Sequence, residues 1–167
     1  GVGINTAHEL GHQRAQSERW LSKVALAQTG YGHFYVEHNR GHHSRVATPE
    51  DPASSRLGES LYAFQFRSFF GSLRSAWRIE RRRLTCHRKR VWSLHNDVLN
   101  SWLMTVVLFA VLLAVFGPDV LLWLVGQAVV GICLLESINY LEHYGLRRQR
   151  RADGNYEQVR ASHSWNS

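Results

Sequence analysis

Histidines carry the chemistry open to this sequence. Of its ten, five fall in two short runs, His8-Glu9-Leu10-Gly11-His12 and Glu37-His38-Asn39-Arg40-Gly41-His42-His43. Residues i and i+4 of an α-helix share a face, so His8 and His12 point at one spot, and so do His38 and His42. His43 reaches a neighbouring spot, or the same one if the helix bends there. A third run, Asn139-Tyr140-Leu141-Glu142-His143-Tyr144-Gly145, follows two apolar stretches. Each run sets a glutamate beside a histidine: Glu9, Glu37 and Glu142. Neutral imidazole suits zinc, copper, iron and nickel. A lone histidine is more often a hydrogen-bonded core residue, and His33, His87, His95 and His163 are read that way.

The elements that position these runs follow from periodicity. Residues 1–29 read as helical, with a polar break at Arg14–Arg19, and Gly30-Tyr31-Gly32 is a breaker. Residues 33–43 form a short helix and 44–56 a loop, in which Thr48-Pro49-Glu50 reads as an N-cap with proline at the first helical position. From Leu57 to Ile79 the pattern is amphipathic. Tyr62, Phe66, Phe69, Phe70, Leu73 and Trp77 recur at three- and four-residue steps among Arg67, Arg74 and Arg78. This predicts a helix lying in a membrane interface, aromatics inward and arginines toward headgroups.

Two apolar runs, Val98–Phe116 and Val120–Ile138, flank the turn Gly117-Pro118-Asp119. At about 1.5 Å per residue each covers roughly 28 Å, near the ~30 Å of a hydrocarbon core, so both are read as membrane spans. The fold class is therefore all-α and integral to a membrane: a helical bundle with a histidine-rich site at one end. Arg81-Arg82-Arg83 and Arg88-Lys89-Arg90 precede the hairpin, and Arg147-Arg148 and Arg150-Arg151 follow it. By the positive-inside rule both ends face the cytoplasm, with the site beside them. These residues account for much of the net charge of +7 without a nucleic-acid partner, and they can meet anionic lipid headgroups. Glu136 lies inside the second run; a carboxylate there is expected to face the bundle interior with a partner. On one helix Glu136, Tyr140 and His143 would share a face, with an apolar channel between the helices below the site. The two cysteines, Cys86 and Cys133, form no metal or disulfide spacing.

His8-Glu9-Leu10-Gly11-His12 also fits the zinc-protease pattern H-E-x-x-H. That reading leaves the second run without a role. Its extended form is absent too, since Ala15 and Glu18 occupy the next two positions. Six candidate imidazoles (His8, His12, His38, His42, His43 and His143) exceed one tetrahedral zinc and fit two metal ions with open positions. Iron with open positions is the usual platform for dioxygen activation. The residues thus point to a membrane non-haem di-iron enzyme acting on a lipid or hydrocarbon.

The three runs closely resemble the histidine boxes of the membrane alkane 1-monooxygenases, integral-membrane members of the fatty-acid-desaturase-like di-iron proteins. The flanks are similar too: Gly3-Ile4-Asn5-Thr6-Ala7, Ala47-Thr48-Pro49-Glu50-Asp51-Pro52-Ala53-Ser54-Ser55-Arg56 and His163-Ser164-Trp165-Asn166-Ser167. The resemblance covers essentially residues 1–167. It implies terminal hydroxylation of a medium- or long-chain alkane with O2, two iron ions, and electrons from rubredoxin and its flavin reductase. No dinucleotide or flavin motif occurs in the chain, and its basic face suits an acidic carrier. By their clustering and spacing the six histidines are read as the iron ligands, with Glu9, Glu37 and Glu142 as orienters of the imidazoles, the alternative being ordinary helix-surface charges. The nearest alternative is a desaturase or xylene-type hydroxylase of the same superfamily. The chain opens on Gly1 without an initiator Met and is expected to be an internal piece. The family's earlier membrane helices and its further histidine box would lie outside it, so the 167 residues alone are expected to be inactive.

Overall fold

The turn at Thr29-Gly30 separates residues 23–27, which are helical, from the segment that carries the second histidine run. Gly30 sits at φ +66°, the left-handed region that glycine adopts without strain. The computed structural model describes residues 23–165, so His8, Glu9 and His12 lie outside the described residues. Helix α1 (His33–Glu37) runs without a break into a π turn, His38–His42, and a last α turn, α2 (His43–Arg45). The loop that follows contains turns and no helix at Thr48-Pro49-Glu50. There the Thr48 hydroxyl donates to the Arg45 carbonyl instead of capping. Then come α3 (Leu61–Cys86), α4 (Asp97–Phe116) and α5 (Val120–His143), and a 3-10 turn, Ala161–His163. Among the described residues there is no strand, only an isolated bridge between Arg150 and Tyr156.

Helices α4 and α5 realise the apolar hairpin. Asn96 caps α4 by accepting from the Val98 N–H, and Gly117 at φ +84° ends it. With 20 and 24 residues, both are long and apolar enough to cross a membrane. Their outward faces are apolar as well: Val106, Val107, Val111, Leu122, Trp123 and Val129 are exposed. In water this would be an unusually large apolar patch; hydrocarbon is the solvent that suits it. Helix α5 extends beyond the expected span to His143, so the third histidine run sits on the same rod that crosses the membrane.

The core is Leu26, Tyr31, Phe34, Tyr35, Val36, Ala76, Val98 and Leu135, contributed by α1, α3, α4, α5 and the segment before α1. Close approach makes this possible. Helix α3 turns Ser68, Ser72, Ser75 and Ala76 inward, and Gly32 lies directly against Ser101 of α4.

Helix α3 departs from the expected arrangement. It starts later, at Leu61, because the Ser60 hydroxyl accepts from the Ala63 N–H, and it continues to Cys86. Every fourth residue of its exposed stripe reads Tyr62, Phe66, Phe70, Arg74, Arg78, Arg82. Along this exposed stripe the aromatics come first and the arginines follow. Phe69 and Trp77 turn partly inward against the core.

His33 is buried among Tyr31, Phe69 and Trp102. Burial pushes its pKa down to about 4. A histidine depressed in the folded state stays neutral there while the unfolded chain takes up a proton. His33 alone therefore lowers stability as pH drops from about 6.5 toward 4, by roughly 3 kcal/mol. Melting temperatures across this window are expected to show the loss, and His33→Phe, which fits the aromatic cage, is expected to reduce it to the share of His143, which burial also pushes down to about 4. An unchanged slope in the variant would assign the acid sensitivity elsewhere.

Candidate functional site

The π turn decides how the second histidine run is presented. In an α-helix His38 and His42 would align and His43 would swing away; an i→i+5 turn brings residues five apart onto one side. Accordingly, the Nε2 atoms of His38 and His43 face each other at 3.1 Å. The His38 ring lies 5.4 Å from that of His42 and 4.6 Å from that of His43, centroid to centroid. His143, from the end of α5, brings its ring to 4.8 Å from His42. His38, His42, His43, Glu142, His143 and His163 line one cavity of about 270 Å³. Four of the six histidines named from the sequence are thus gathered from two distant segments; His8 and His12 lie outside the described residues.

Two hydrogen bonds fix which nitrogens remain for the cavity. His42 donates from Nδ1 to Asp51 Oδ2 at 2.8 Å. His143 donates from Nδ1 to the His163 carbonyl at 3.2 Å. Each bond leaves the ring's Nε2 as the acceptor nitrogen. Burial pushes the His42 pKa down, but the Asp51 carboxylate outweighs it, and the net shift is upward. Burial raises Asp51, yet its partner His42 and the Ser54 hydroxyl hold it below the usual carboxylate range.

The carboxylates divide differently from expectation. Glu37 is buried and takes Arg45 Nη2 at 2.7 Å rather than an imidazole, and burial pushes it up to about 7. Glu142 lines the cavity, with Oε2 4.0 Å from His143 Nε2. The carboxylate that holds His42 is Asp51. It lies in the loop, where no periodicity could pair it with His42. His163, read from the sequence as an ordinary core histidine, lines the cavity wall instead. Its Nδ1 accepts from the Arg160 N–H at 2.9 Å and its Nε2 is 3.4 Å from Glu157 Oε1. The segment after α5 folds back to place it: Arg148 N–H donates to the Ala47 carbonyl and Trp165 N–H to that of Glu142. Of the remaining histidines, His87 and His95 are exposed.

Glu136 is buried and accepts from the Tyr31 hydroxyl, the partner its position in the span demands. The buried face of α5 near the site is Glu136, Asn139 and His143; Tyr140 turns aside and donates to the Glu59 carbonyl at 2.6 Å. Phe66, Phe69, Phe70, Ile132 and Cys133 line an apolar groove of about 280 Å³ between α3 and α5, with Glu136 at its edge. It shares no lining residue with the histidine cavity.

The donor set suits a first-row metal. The 3.1 Å between His38 and His43 Nε2 is also the spacing of two neighbouring nitrogens each held about 2.1 Å from one ion. Among the described residues no three His, Cys, Asp or Glu side chains form a group that could hold a metal ion.

The fatty acid desaturase family profile matches residues 1–167. The chain is 51% identical over 167 residues to an alkane 1-monooxygenase of Ectopseudomonas oleovorans, covering 100% of this chain and 42% of that protein. It is 52% identical over 167 residues to alkane 1-monooxygenase 1 of Alcanivorax borkumensis, covering 100% and 41%. To the xylene/toluene monooxygenase hydroxylase component XylM of Pseudomonas putida it is 25% identical over 163 residues, covering 98% and 43%. The chain spans about two fifths of the length of these curated relatives.

Proposed function

Because the chain belongs to the fatty acid desaturase family over its whole length, we propose that its full-length parent is an alkane 1-monooxygenase. It converts the terminal methyl of a medium- or long-chain n-alkane to a primary alcohol. One oxygen atom of O2 enters the product; the other leaves as water with two electrons and two protons. The electrons come from rubredoxin, reduced by its flavin reductase. Carrying the reading is one observation: His38, His42, His43 and His143, from segments a hundred residues apart, line one cavity at the end of a membrane-length helix. The identities near 50% to alkane 1-monooxygenases along residues 1–167 support it.

In this reading His38, His42, His43 and His143, together with His8 and His12, hold two iron ions. Bound there, non-haem iron supplies reductive activation of dioxygen. The chain's own residues set up the site. Asp51 and the His163 carbonyl fix the tautomers of His42 and His143 and aim their Nε2 atoms. Glu142, at the rim beside His143, and Glu9, in the first run, are the remaining candidates for orienting imidazoles. Glu37 acts at one remove, through Arg45. The membrane is the cytoplasmic one and the site faces the cytoplasm, since the basic runs lie at both ends of the hairpin and none lies in its turn.

The test uses membranes carrying the full-length parent with rubredoxin, its reductase, NADH and air. Octane, hexadecane and a saturated fatty acyl substrate are supplied together, and products are read by gas chromatography. A 1-alkanol that disappears when iron is chelated and returns with ferrous iron is the expected result. An unsaturated or hydroxylated acyl chain with both alkanes untouched would move the protein to the desaturase side of the family.

A further inference from the structure

A π turn inside a short helix is less favourable than the α-helix it interrupts, so something must hold it. Two sets of ion pairs engage it. The first is Glu37–Arg45, at 2.7 Å, which crosses directly over Gly41; a Cβ there would lie 2.6 Å from the Glu37 carboxyl carbon. The second is Arg40, which the site described above does not use. Arg40 projects from the middle of the π turn and donates to Glu80 of α3 and, from Nη2, to Asp97 Oδ2 at 2.7 Å.

Glu80 is 0% exposed, an unusual place for a carboxylate. Besides Arg40 it accepts from Arg83 Nε at 2.8 Å and Nη2 at 2.7 Å, and from the Asp97 N–H at 2.8 Å. Asp97 Oδ1 in turn takes Lys23 Nζ at 2.7 Å. One chain of alternating charge, Lys23, Asp97, Arg40, Glu80 and Arg83, thus joins the segment after the first histidine run, the second run, α3 and the first residue of the membrane hairpin. Buried ion pairs are weak evidence for stability, and their best attested use is to fix register.

We propose that Arg40 and Glu80 are positioning residues: they lock the second histidine run in its π register and so keep His43 beside His38. Without the lock the turn relaxes toward an α-helix, where residues five apart stand about 140° from each other, and His43 leaves the cavity. The proposal rests on reading His38 and His43 as iron ligands, and it separates Arg40 from residues that act on the other imidazoles.

The experiment is iron release from the purified full-length parent to a ferrous chelator, followed by absorbance. Arg40→Gln and Glu80→Gln are each expected to speed release by about 10- to 100-fold, the range for residues that orient ligands. In a His43→Ala background, Arg40→Gln is expected to add nothing. In a His143→Ala background it should multiply the effect, because His143 stands on a different element. A general loss of stability would multiply in both backgrounds, and that result overturns the proposal, as does an unchanged rate in Arg40→Gln. Should Arg40→Gln not fold, Asp97→Asn weakens one arm of the same clamp and is read in the same way. A wild-type parent that holds no iron would instead sink the reading of the site itself, and this proposal with it.

Discussion

In the full-length parent, Asp51→Ala is expected to lower iron retention and alkanol formation by about 10- to 100-fold while the helical content stays unchanged. Asp51 is 2% exposed and holds His42 Nδ1 at 2.8 Å. Its own carboxylate is fixed by the Ser54 hydroxyl at 2.5 Å and the Ala53 N–H at 3.2 Å. Alanine removes the acceptor, so the His42 ring loses both its tautomer preference and its aim. Asp51→Asn keeps the shape and one acceptor but loses the charge, and its effect should fall between wild type and alanine. The metal-free protein offers a second readout. Asp51 is depressed on folding, so its contribution is present above about pH 4 and is lost as pH falls through its folded value. His42 is raised, so its contribution is full below about pH 6.5 and is lost as pH rises through its folded value. The pair therefore stabilises most between these limits, and the alanine variant should lose most thermal stability there. Metal content and turnover equal to wild type would remove Asp51 from the site.

Gly32→Ala should act from a distance with comparable force. A Cβ at Gly32 would fall on the Ser101 Cβ of α4, and backbone-proximal atoms on both sides cannot step aside. Overpacking of this kind costs about 1–3 kcal/mol. More important is where the strain goes. Gly32 is the residue before α1, and α1 runs straight into the π turn that carries His38, His42 and His43. Pushing α1 from α4 moves these imidazoles against His143 on α5, and a displacement near 1 Å costs about 100-fold in turnover. Ser101→Gly in the same chain removes the opposing Cβ and is expected to restore most of the loss. Failure of that rescue would place the defect elsewhere.

The glycine turn and the burial of Glu136 show how far local pattern reaches. A largely apolar run of nineteen residues, a Gly-Pro-Asp turn and another such run of nineteen leave few arrangements, because every backbone polar group in hydrocarbon must be satisfied within the segment. Spacing at i and i+4 likewise predicts His38 and His42 on one side, and their rings stack at 5.4 Å. Helix α3 marks the limit. Its aromatic positions suggested an interfacial face, yet the residues that pack it into the bundle are Ser68, Ser72, Ser75, Ala76 and Glu80. Small and polar residues make no apolar stripe, so periodicity passes over them.

By itself, then, the sequence determined an all-α membrane fold with a helical hairpin, and histidine runs able to meet at one end of it. Those features depend on composition and on residues within one or two helical turns. Tertiary structure alone decided which groups hold the imidazoles. Asp51 reaches His42 from a loop, the His163 carbonyl reaches His143 from a segment that folds back, and Arg40 finds Glu80 forty residues away. It also decided that a π turn, not an α turn, sets His43 against His38. A helix's 3.6-residue period contains no signal for one inserted residue; the insertion is stabilised by charges that meet only when α1, α3 and α4 have packed.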